Sequence, residues 1–140
     1  LTRPGPRRHV VGVNISPPEA AMDAATLFEI SNLLALPAWA LLILGPRRIP
    51  ALSTWPAIGV PLVLSVSYAA LALPGFFGSA EGGYGSLAAV RALFEDDLMI
   101  VAGWQHYLAF DLLVGWWLAR RLDAAQVSRL IQAPILLATF

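Results

Sequence analysis

Cysteine and lysine are absent from the 140-residue sequence, and charged residues of any kind are scarce. Without cysteine the chain has no disulfide bond, no thiolate metal site and no cysteine nucleophile. Charged residues make up 13% of the chain, against roughly 25% in an ordinary soluble domain. Hydrophobic residues make up 58%, and the mean hydropathy is +0.68. So few charges cannot keep the surface of a small soluble protein hydrated. We therefore expect lipid to cover much of the surface.

Four apolar runs predict an all-α fold, a polytopic bundle of transmembrane helices. They lie at about residues 27–44, 55–73, 98–119 and 131–140. A helix rises about 1.5 Å per residue and needs about 20 residues to cross ~30 Å of hydrocarbon. The first three runs are therefore long enough to span, and the fourth is not. The fourth run is either re-entrant or a span cut short by the end of the sequence, and we favour the second interpretation.

Residues 1–21 differ from the rest of the chain because they carry three arginines and four prolines without a helical period. No apolar segment of a secretory signal precedes the first span. Two interpretations stay open for this stretch. It is either a disordered tail, or it is not translated and the protein starts at Met22. The remainder, residues 22–140, is one membrane domain.

The link between the second and third spans is rich in glycine and acidic residues. We expect Pro74-Gly75 to end the second span. Further along, Ser86 can cap a helix in which apolar residues repeat at helical spacing: Leu87, Val90, Leu93 and Phe94. This pattern predicts a short amphipathic helix on the membrane surface.

Arginines concentrate in the other two links, at Arg47, Arg48, Arg120, Arg121 and Arg129. The glycine-rich link instead holds four carboxylates against a single arginine. Positive charges favour the cytoplasmic side of a membrane. We therefore expect the arginine-bearing links in the cytoplasm and a location in a bacterial inner membrane.

The third span holds two ionisable residues, His106 and Asp111, which are costly inside a membrane unless they are paired. At 100° per residue, Trp104, Tyr107 and Asp111 share one face, and Tyr107 and Asp111 are one turn apart. His106 lies about 140° from Asp111, so this helix alone cannot form a His–Asp dyad. Asp111 either takes part in chemistry or holds helices together by hydrogen bonds. Two interpretations also stay open for His106. It is either a base or a neutral imidazole that forms a hydrogen bond with a nearby backbone or hydroxyl group.

The other candidate residues are ligand-binding ones. Asn32 is an interhelical hydrogen-bond donor, Trp39 and Trp104 can line an aromatic pocket, and Tyr68 places a phenol on the second span. The sequence has no phosphate-binding loop, no metal-ligand cluster and no nucleophile elbow, and it identifies no cofactor. A neutral, apolar chain is a poor match for nucleic acid. The expected partners are membrane lipid, an isoprenoid ligand and a second copy of the chain.

The run Gly-Trp-Gln-His-Tyr-Leu-Ala-Phe-Asp-Leu at 103–112, with the segment from Gly83 to Phe94, resembles the abscisic-acid-deficient-4-like family. The first span, around Asn32 to Trp39, and the last, from Pro134, are also similar, so the likeness covers about residues 26–140. The resemblance implies a four-span membrane protein. The plant member is needed for making neoxanthin from violaxanthin, an isomerisation that opens an epoxide into an allene.

That reaction needs an acid at the epoxide oxygen and a base at a neighbouring proton. The resemblance therefore implies Tyr107 or a neutral Asp111 as the acid and His106 as the base. Our first hypothesis is a carotenoid- or isoprenoid-modifying protein of isomerase type. The alternatives are a non-catalytic carotenoid-binding or membrane-complex assembly subunit, and a small transporter or channel subunit.

Overall fold

The computed structural model describes residues 22–78 and 82–139, so the predicted N-terminal tail lies outside the described residues. Within those ranges the chain is all-helical and has no strand. Three of the helices, α1, α2 and α4, are long and apolar enough to cross a membrane, which confirms the predicted fold class. The five helices are α1 (Ala24–Leu44), α2 (Pro50–Gly78), α3 (Leu87–Leu93), α4 (Asp97–Ala124) and α5 (Arg129–Leu137).

Helix α1 has a well-defined beginning and end. The Asp23 side chain accepts a hydrogen bond of 2.7 Å from the Thr26 N–H, which caps the first turn. At the other end the Gly45 N–H bonds the Leu41 carbonyl at 2.8 Å. A Cβ at Gly45 would overlap the Leu41 carbonyl oxygen, so the tight exit from α1 requires glycine here. Pro37 lies inside the helix.

Helix α2 is longer at both ends than the predicted span at 55–73. It begins at Pro50. A proline suits the first helical position because an N–H group there would have no hydrogen-bond acceptor within the helix. It also continues through Pro74-Gly75 to Gly78, so the prediction that this pair ends the helix is wrong. A proline removes one hydrogen bond and kinks a helix, but a long apolar helix packed against neighbours tolerates it.

Helix α4 begins close to its predicted start and continues five residues beyond its predicted end at residue 119. Asp96 caps it by accepting from the Leu98 and Met99 N–H groups at 2.7 and 3.4 Å. The turn after α4 holds Gln126 at φ 58°, in the left-handed region. The nine-residue α5 follows, and it is too short to cross a bilayer.

The predicted surface helix is present as α3. Ser86 caps it by accepting from the Ala89 N–H at 3.1 Å, as the sequence pattern predicts. Leu93 is buried and forms a small core cluster with Met99 and Ala102 of α4. The α3 helix therefore covers the acidic end of the bundle.

Helices α1, α2 and α4 pack against one another, and α5 packs on α4 and α1. The contact surfaces combine alanine, which allows helix backbones to approach closely, with leucine. At mid-depth Ala35 and Ala109 meet Leu64 and Leu108. Nearer the arginine-rich end the core consists of Ala38, Trp39, Leu42, Leu112, Ala119 and Leu136.

Candidate functional site

Helix α4 supplies most of the candidate residues, and the helical period sends neighbours in the sequence to different sides of the bundle. Gln105 points into the core and is 2% exposed, whereas His106 and Tyr107 are exposed. Asp111 is half-buried. The site residues therefore form separate groups on different sides of the bundle.

The first group lies where α1 meets α4 and is called the α1–α4 face: Phe28, Asn32, Trp104, Tyr107 and Asp111. The Trp104 indole N–H donates to Asn32 Oδ1 at 3.0 Å. Asn32 in turn donates from Nδ2 to the Phe28 carbonyl at 3.1 Å. The indole also contacts the rings of Phe28 and Tyr107, each with centroids 5.5 Å away. A row of aromatic rings fixed by a hydrogen bond thus faces outward between the two helices.

Tyr107 and Asp111 complete this face. Their side chains form a hydrogen bond across one turn of α4, which the i, i+4 spacing predicts. The Tyr107 side chain is on the outside of the bundle, with 45% of the residue exposed. In a membrane that surface meets lipid, so the pair places a phenol and a carboxyl group where an apolar ligand can reach them.

His106 and Tyr68 form the second group, on the side of α4 that meets α2. Their ring centroids are 5.0 Å apart. Asp111 pairs with Tyr107 instead, so the structure does not bring His106 together with the carboxyl group. This agrees with the angular argument from the sequence that one helix cannot form the dyad.

A largely apolar cavity of about 340 Å³ lies beside this second group, under α3. Tyr68 lines it together with Ala69, Ala72, Leu73, Tyr84, Leu93 and Met99. Another concavity of about 380 Å³ lies at the acidic end of the α1–α4 face and includes Phe28 and Glu29. Both can hold apolar groups next to the candidate residues.

Trp39 lies apart from the other candidates, in the core near the arginine-rich end. It is 3% exposed, and its ring packs directly over Gly115 of α4. Its position in this structure is that of a packing residue between α1 and α4. Its predicted contact with a ligand stays a prediction.

A buried polar pair that was not predicted lies in the middle of the bundle. Gln105 Nε2 donates to Ser31 Oγ at 3.0 Å, and the Ser31 hydroxyl donates to the Leu27 carbonyl at 2.7 Å. Gln105 Oε1 is buried and has no hydrogen-bond partner in the described part of the chain. The signal was a glutamine within an apolar span, where an amide needs a partner from another helix.

A cluster at the arginine-rich end was not predicted, because the sequence gives these arginines only as charges that orient the links. Arg47 instead forms an ion pair of 2.9 Å with Asp123, and it donates to Gln132 and to the Ala119 carbonyl. Burial lowers the pKa of the Arg129 guanidinium, and the nearby charge of Arg47 lowers it further, while Asp123 acts in the opposite direction. The cluster joins α1, α4 and α5 by charged hydrogen bonds.

Among residues 22–78 and 82–139, no group of three or more histidine or acidic side chains is arranged to hold a metal ion. The candidate residues themselves offer a phenol, a carboxyl group and an imidazole. These groups transfer protons and form hydrogen bonds.

Three long apolar helices, polar groups paired inside the bundle and an exposed aromatic face define an integral membrane protein of the helix-bundle class. Residues 26–140 match the family model described as ABA DEFICIENT 4-like. The chain belongs to this family, which confirms the resemblance seen in the sequence. Comparison with curated proteins and with solved structures gives no match.

Proposed function

We propose that the protein binds a carotenoid or a related isoprenoid at the α1–α4 face and catalyses its isomerisation by acid–base chemistry. The observation that carries this proposal is the Tyr107–Asp111 hydrogen bond on an outward-facing surface beside the Trp104 ring. A ligand dissolved in the bilayer can approach that surface laterally, without crossing water. The chain belongs to the ABA DEFICIENT 4-like family, and the need for the plant member in making neoxanthin suggests an isoprenoid as the ligand class.

The aromatic rings of the α1–α4 face explain how such a ligand would be held. Phe28, Trp104 and Tyr107 present adjoining ring surfaces, and the bond to Asn32 fixes the indole. A flat polyene gains contact along these rings in the same way that apolar ligands gain contact in aromatic-lined sites. The Tyr107–Asp111 pair then lies at one end of the held ligand.

The proposed chemistry uses the pair as a two-proton relay. The Asp111 carboxylate takes a proton from a carbon of the ligand, and the Tyr107 phenol gives its proton to the ligand oxygen, as in the opening of an epoxide. The proton then passes from Asp111 to the Tyr107 phenolate along their hydrogen bond. The number of protons on ligand and protein is unchanged, as an isomerisation requires. His106, the base implied by the resemblance, contacts Tyr68 on the other side of α4, so the proposal assigns it no step.

The test is to express the protein in cells that accumulate carotenoids and to analyse the pigments of the membranes and of the purified protein. We expect a new pigment that is lost in Asp111→Asn and strongly reduced in Tyr107→Phe, because removing a general acid or base lowers rates about 10²- to 10⁴-fold. His106→Gln and Tyr84→Phe are the controls and should keep the product. Protein amount is measured in each membrane.

A second candidate is a non-catalytic carotenoid-binding or assembly subunit. The separation of His106 from the Tyr107–Asp111 pair favours this candidate. His106 contacts Tyr68 and is not available as a separate base at the α1–α4 face. In this case the original pigment copurifies unchanged, and Trp104→Ala releases it while Asp111→Asn does not. Absence of both a new pigment and a copurifying one would contradict both candidates and favour the transport hypothesis.

The proposed orientation places the two arginine-bearing links in the cytoplasm of a bacterial inner membrane. Supporting this proposal, Arg47 of the first link contacts Asp123 near the second, so both links lie at one end of the bundle. The cysteine-free chain allows a direct test. An impermeant thiol reagent should label Ser86→Cys on intact cells and Arg48→Cys only after the membrane is opened.

A further inference from the structure

A cavity of about 520 Å³ opens at the arginine-rich end, between the end of α1 and the turn that joins α4 to α5. Its polar lining consists of Arg47, Arg48, Asp123, Gln126 and Arg129. Three guanidinium groups face a single carboxylate, so positive charge is in excess by two. A concave site with such an excess attracts an anion. The function proposed above makes no use of this cavity.

Two of the arginines are held in place by the protein. Arg47 donates from Nε to the Leu42 carbonyl at 3.3 Å and from Nη1 to the Ala119 carbonyl at 3.0 Å. Arg129 donates from Nη2 to the Ile43 and Gly45 carbonyls, at the C-terminal end of α1. An anion that binds to Arg129 therefore meets a side chain that is already ordered, which favours binding.

Among the described residues, Asp123 is the single carboxylate in the lining of this cavity. Arg47 Nη2 is buried and has no hydrogen-bond partner among the described residues. The charge of Arg47 also lowers the pKa of Arg129, which shows that the two cations act on each other. The Asp123 carboxylate is shared with Gln132 and with Arg47. A further negative charge in the cavity would relieve the repulsion between the arginines.

Residues typical of the boundary between hydrocarbon and water lie near this cavity. Nearby on α4, Trp116 and Trp117 each carry an arginine over the ring, Arg120 at 5.4 Å and Arg121 at 5.3 Å from the ring centroid. Tryptophan is enriched where hydrocarbon meets water. The apolar part of α1 ends at Leu44, immediately before the cavity begins at Gly45.

We propose that this cavity binds a phosphate group, with Arg48 and Arg129 as the charged donors. Guanidinium groups bind phosphate oxygens through paired hydrogen bonds. The phosphate has two sources, because the cavity lies at the interface. An anionic phospholipid reaches it from the bilayer, and a soluble phosphate ester reaches it from the water.

The test uses the full chain in bilayer discs of phosphatidylcholine that contain a minor fraction of phosphatidylglycerol. After transfer to mild detergent, native mass spectrometry measures the phosphatidylglycerol that stays bound. Arg48→Gln should lower its affinity about tenfold, equivalent to about 1.4 kcal/mol. Arg121→Gln is the matched control, since it removes the same charge at the same end but lies outside the cavity lining. Arg48→Lys should recover part of the affinity.

A second arm separates the two sources. If the ligand is a lipid, excess inorganic phosphate does not displace phosphatidylglycerol. If it is a soluble phosphate, inorganic phosphate raises the melting temperature in pure phosphatidylcholine, and Arg48→Gln abolishes that rise. Equal losses in Arg48→Gln and Arg121→Gln would reveal diffuse surface charge and overturn the proposal. So would the absence of both lipid retention and stabilisation by phosphate. Arg48 is exposed, so its replacement should not disturb the packing of the bundle. An unchanged melting temperature without phosphate confirms that the Arg48→Gln variant is folded.

Discussion

Arg47 and Asp123 form an ion pair of 2.9 Å that joins the segment after α1 to the last turn of α4. Gln132 of α5 closes the group, because it donates to Asp123 Oδ1 at 2.9 Å and accepts from Arg47 Nη1. Three separate parts of the chain therefore meet through three side chains. A bundle of apolar helices can slide and rotate, whereas charged hydrogen bonds specify one arrangement of its ends.

Replacing Arg47 by glutamine should destabilise the protein. The Arg47 side chain is 11% exposed, and its loss removes the cationic partner of Asp123 and the donor to the Ala119 carbonyl, while Asp123 keeps only its bond from Gln132. Breaking a fully buried pair costs about 3–5 kcal/mol, but the Asp123 side chain is 39% exposed. We therefore expect a lower cost of about 1–2 kcal/mol after solvent screening. Thermal unfolding in detergent measures it, with neighbouring Arg48→Gln as the control. Equal melting temperatures for the two variants would contradict the structural role of Arg47.

Gly115→Ala should loosen the contact between α1 and α4. A Cβ at Gly115 would lie 2.5 Å from an atom of the Trp39 ring, and this ring is buried and rigid. Overpacking of this kind costs about 1–3 kcal/mol. Gly59→Ala is the matched control, because a Cβ there meets nothing within 4 Å. It should stabilise α2 by about 0.5–1 kcal/mol, since alanine is the better helix former. Opposite shifts of the melting temperature are the expected result, and the same loss in both would refute the prediction.

Trp104 and Asn32 should show energetic coupling. Their hydrogen bond of 3.0 Å joins α4 to α1, and a typical hydrogen bond contributes about 0.5–1.5 kcal/mol. We expect a coupling of this size in a double-mutant cycle with Trp104→Phe and Asn32→Leu, measured by thermal unfolding. A cycle with Trp104→Phe and Glu29→Gln is the control and should be additive. Additive effects in the first cycle would mean that the bond does not persist in solution.

Asp23 should make the stability of α1 sensitive to acid. Its hydrogen bond from the Thr26 N–H lowers the pKa of Asp23 below the ordinary 3.8. A lowered pKa in the folded state means that the contribution is complete above pH 3.8 and is lost as the pH falls through the folded pKa. Asparagine also caps helices but does not titrate there. In Asp23→Asn the melting temperature should therefore fall less steeply below about pH 4 than in the parent. Glu29→Gln serves as the control, and identical slopes for Asp23→Asn and the parent would exclude this role.

Parts of the candidate site could be predicted from the sequence because they depend on one helix. The Tyr107–Asp111 hydrogen bond and the separation of His106 from Asp111 both follow from the helical period. The Ser86 cap likewise depends on a neighbour three residues away. Interhelical contacts were harder to predict. Asn32 was expected to donate a hydrogen bond to another helix, but it accepts one from Trp104 and donates within α1, and nothing in the sequence identified Trp104 as its partner.

The limits of α2 show why helix ends were predicted less well than helix cores. Proline before glycine usually ends a helix, yet α2 runs through Pro74-Gly75. Its start was predicted at about residue 55, although α2 begins at Pro50. A proline suits a helix start, but Pro56, Pro61 and Pro74 lie inside α2, so proline alone does not identify which of these positions begins the helix. Packing against neighbouring helices selects among them.

The sequence by itself determined that this chain is a set of membrane-crossing helices, because 58% hydrophobic residues in long runs can be covered only by lipid or by one another. It also determined which residues share a helix face. Only the tertiary structure decided that Arg47 turns inward to Asp123 and that Trp39 packs on Gly115. These contacts depend on the rotation and axial offset of one helix against another. Those two quantities are set by the packing of all the helices together, so no local pattern of residues specifies them.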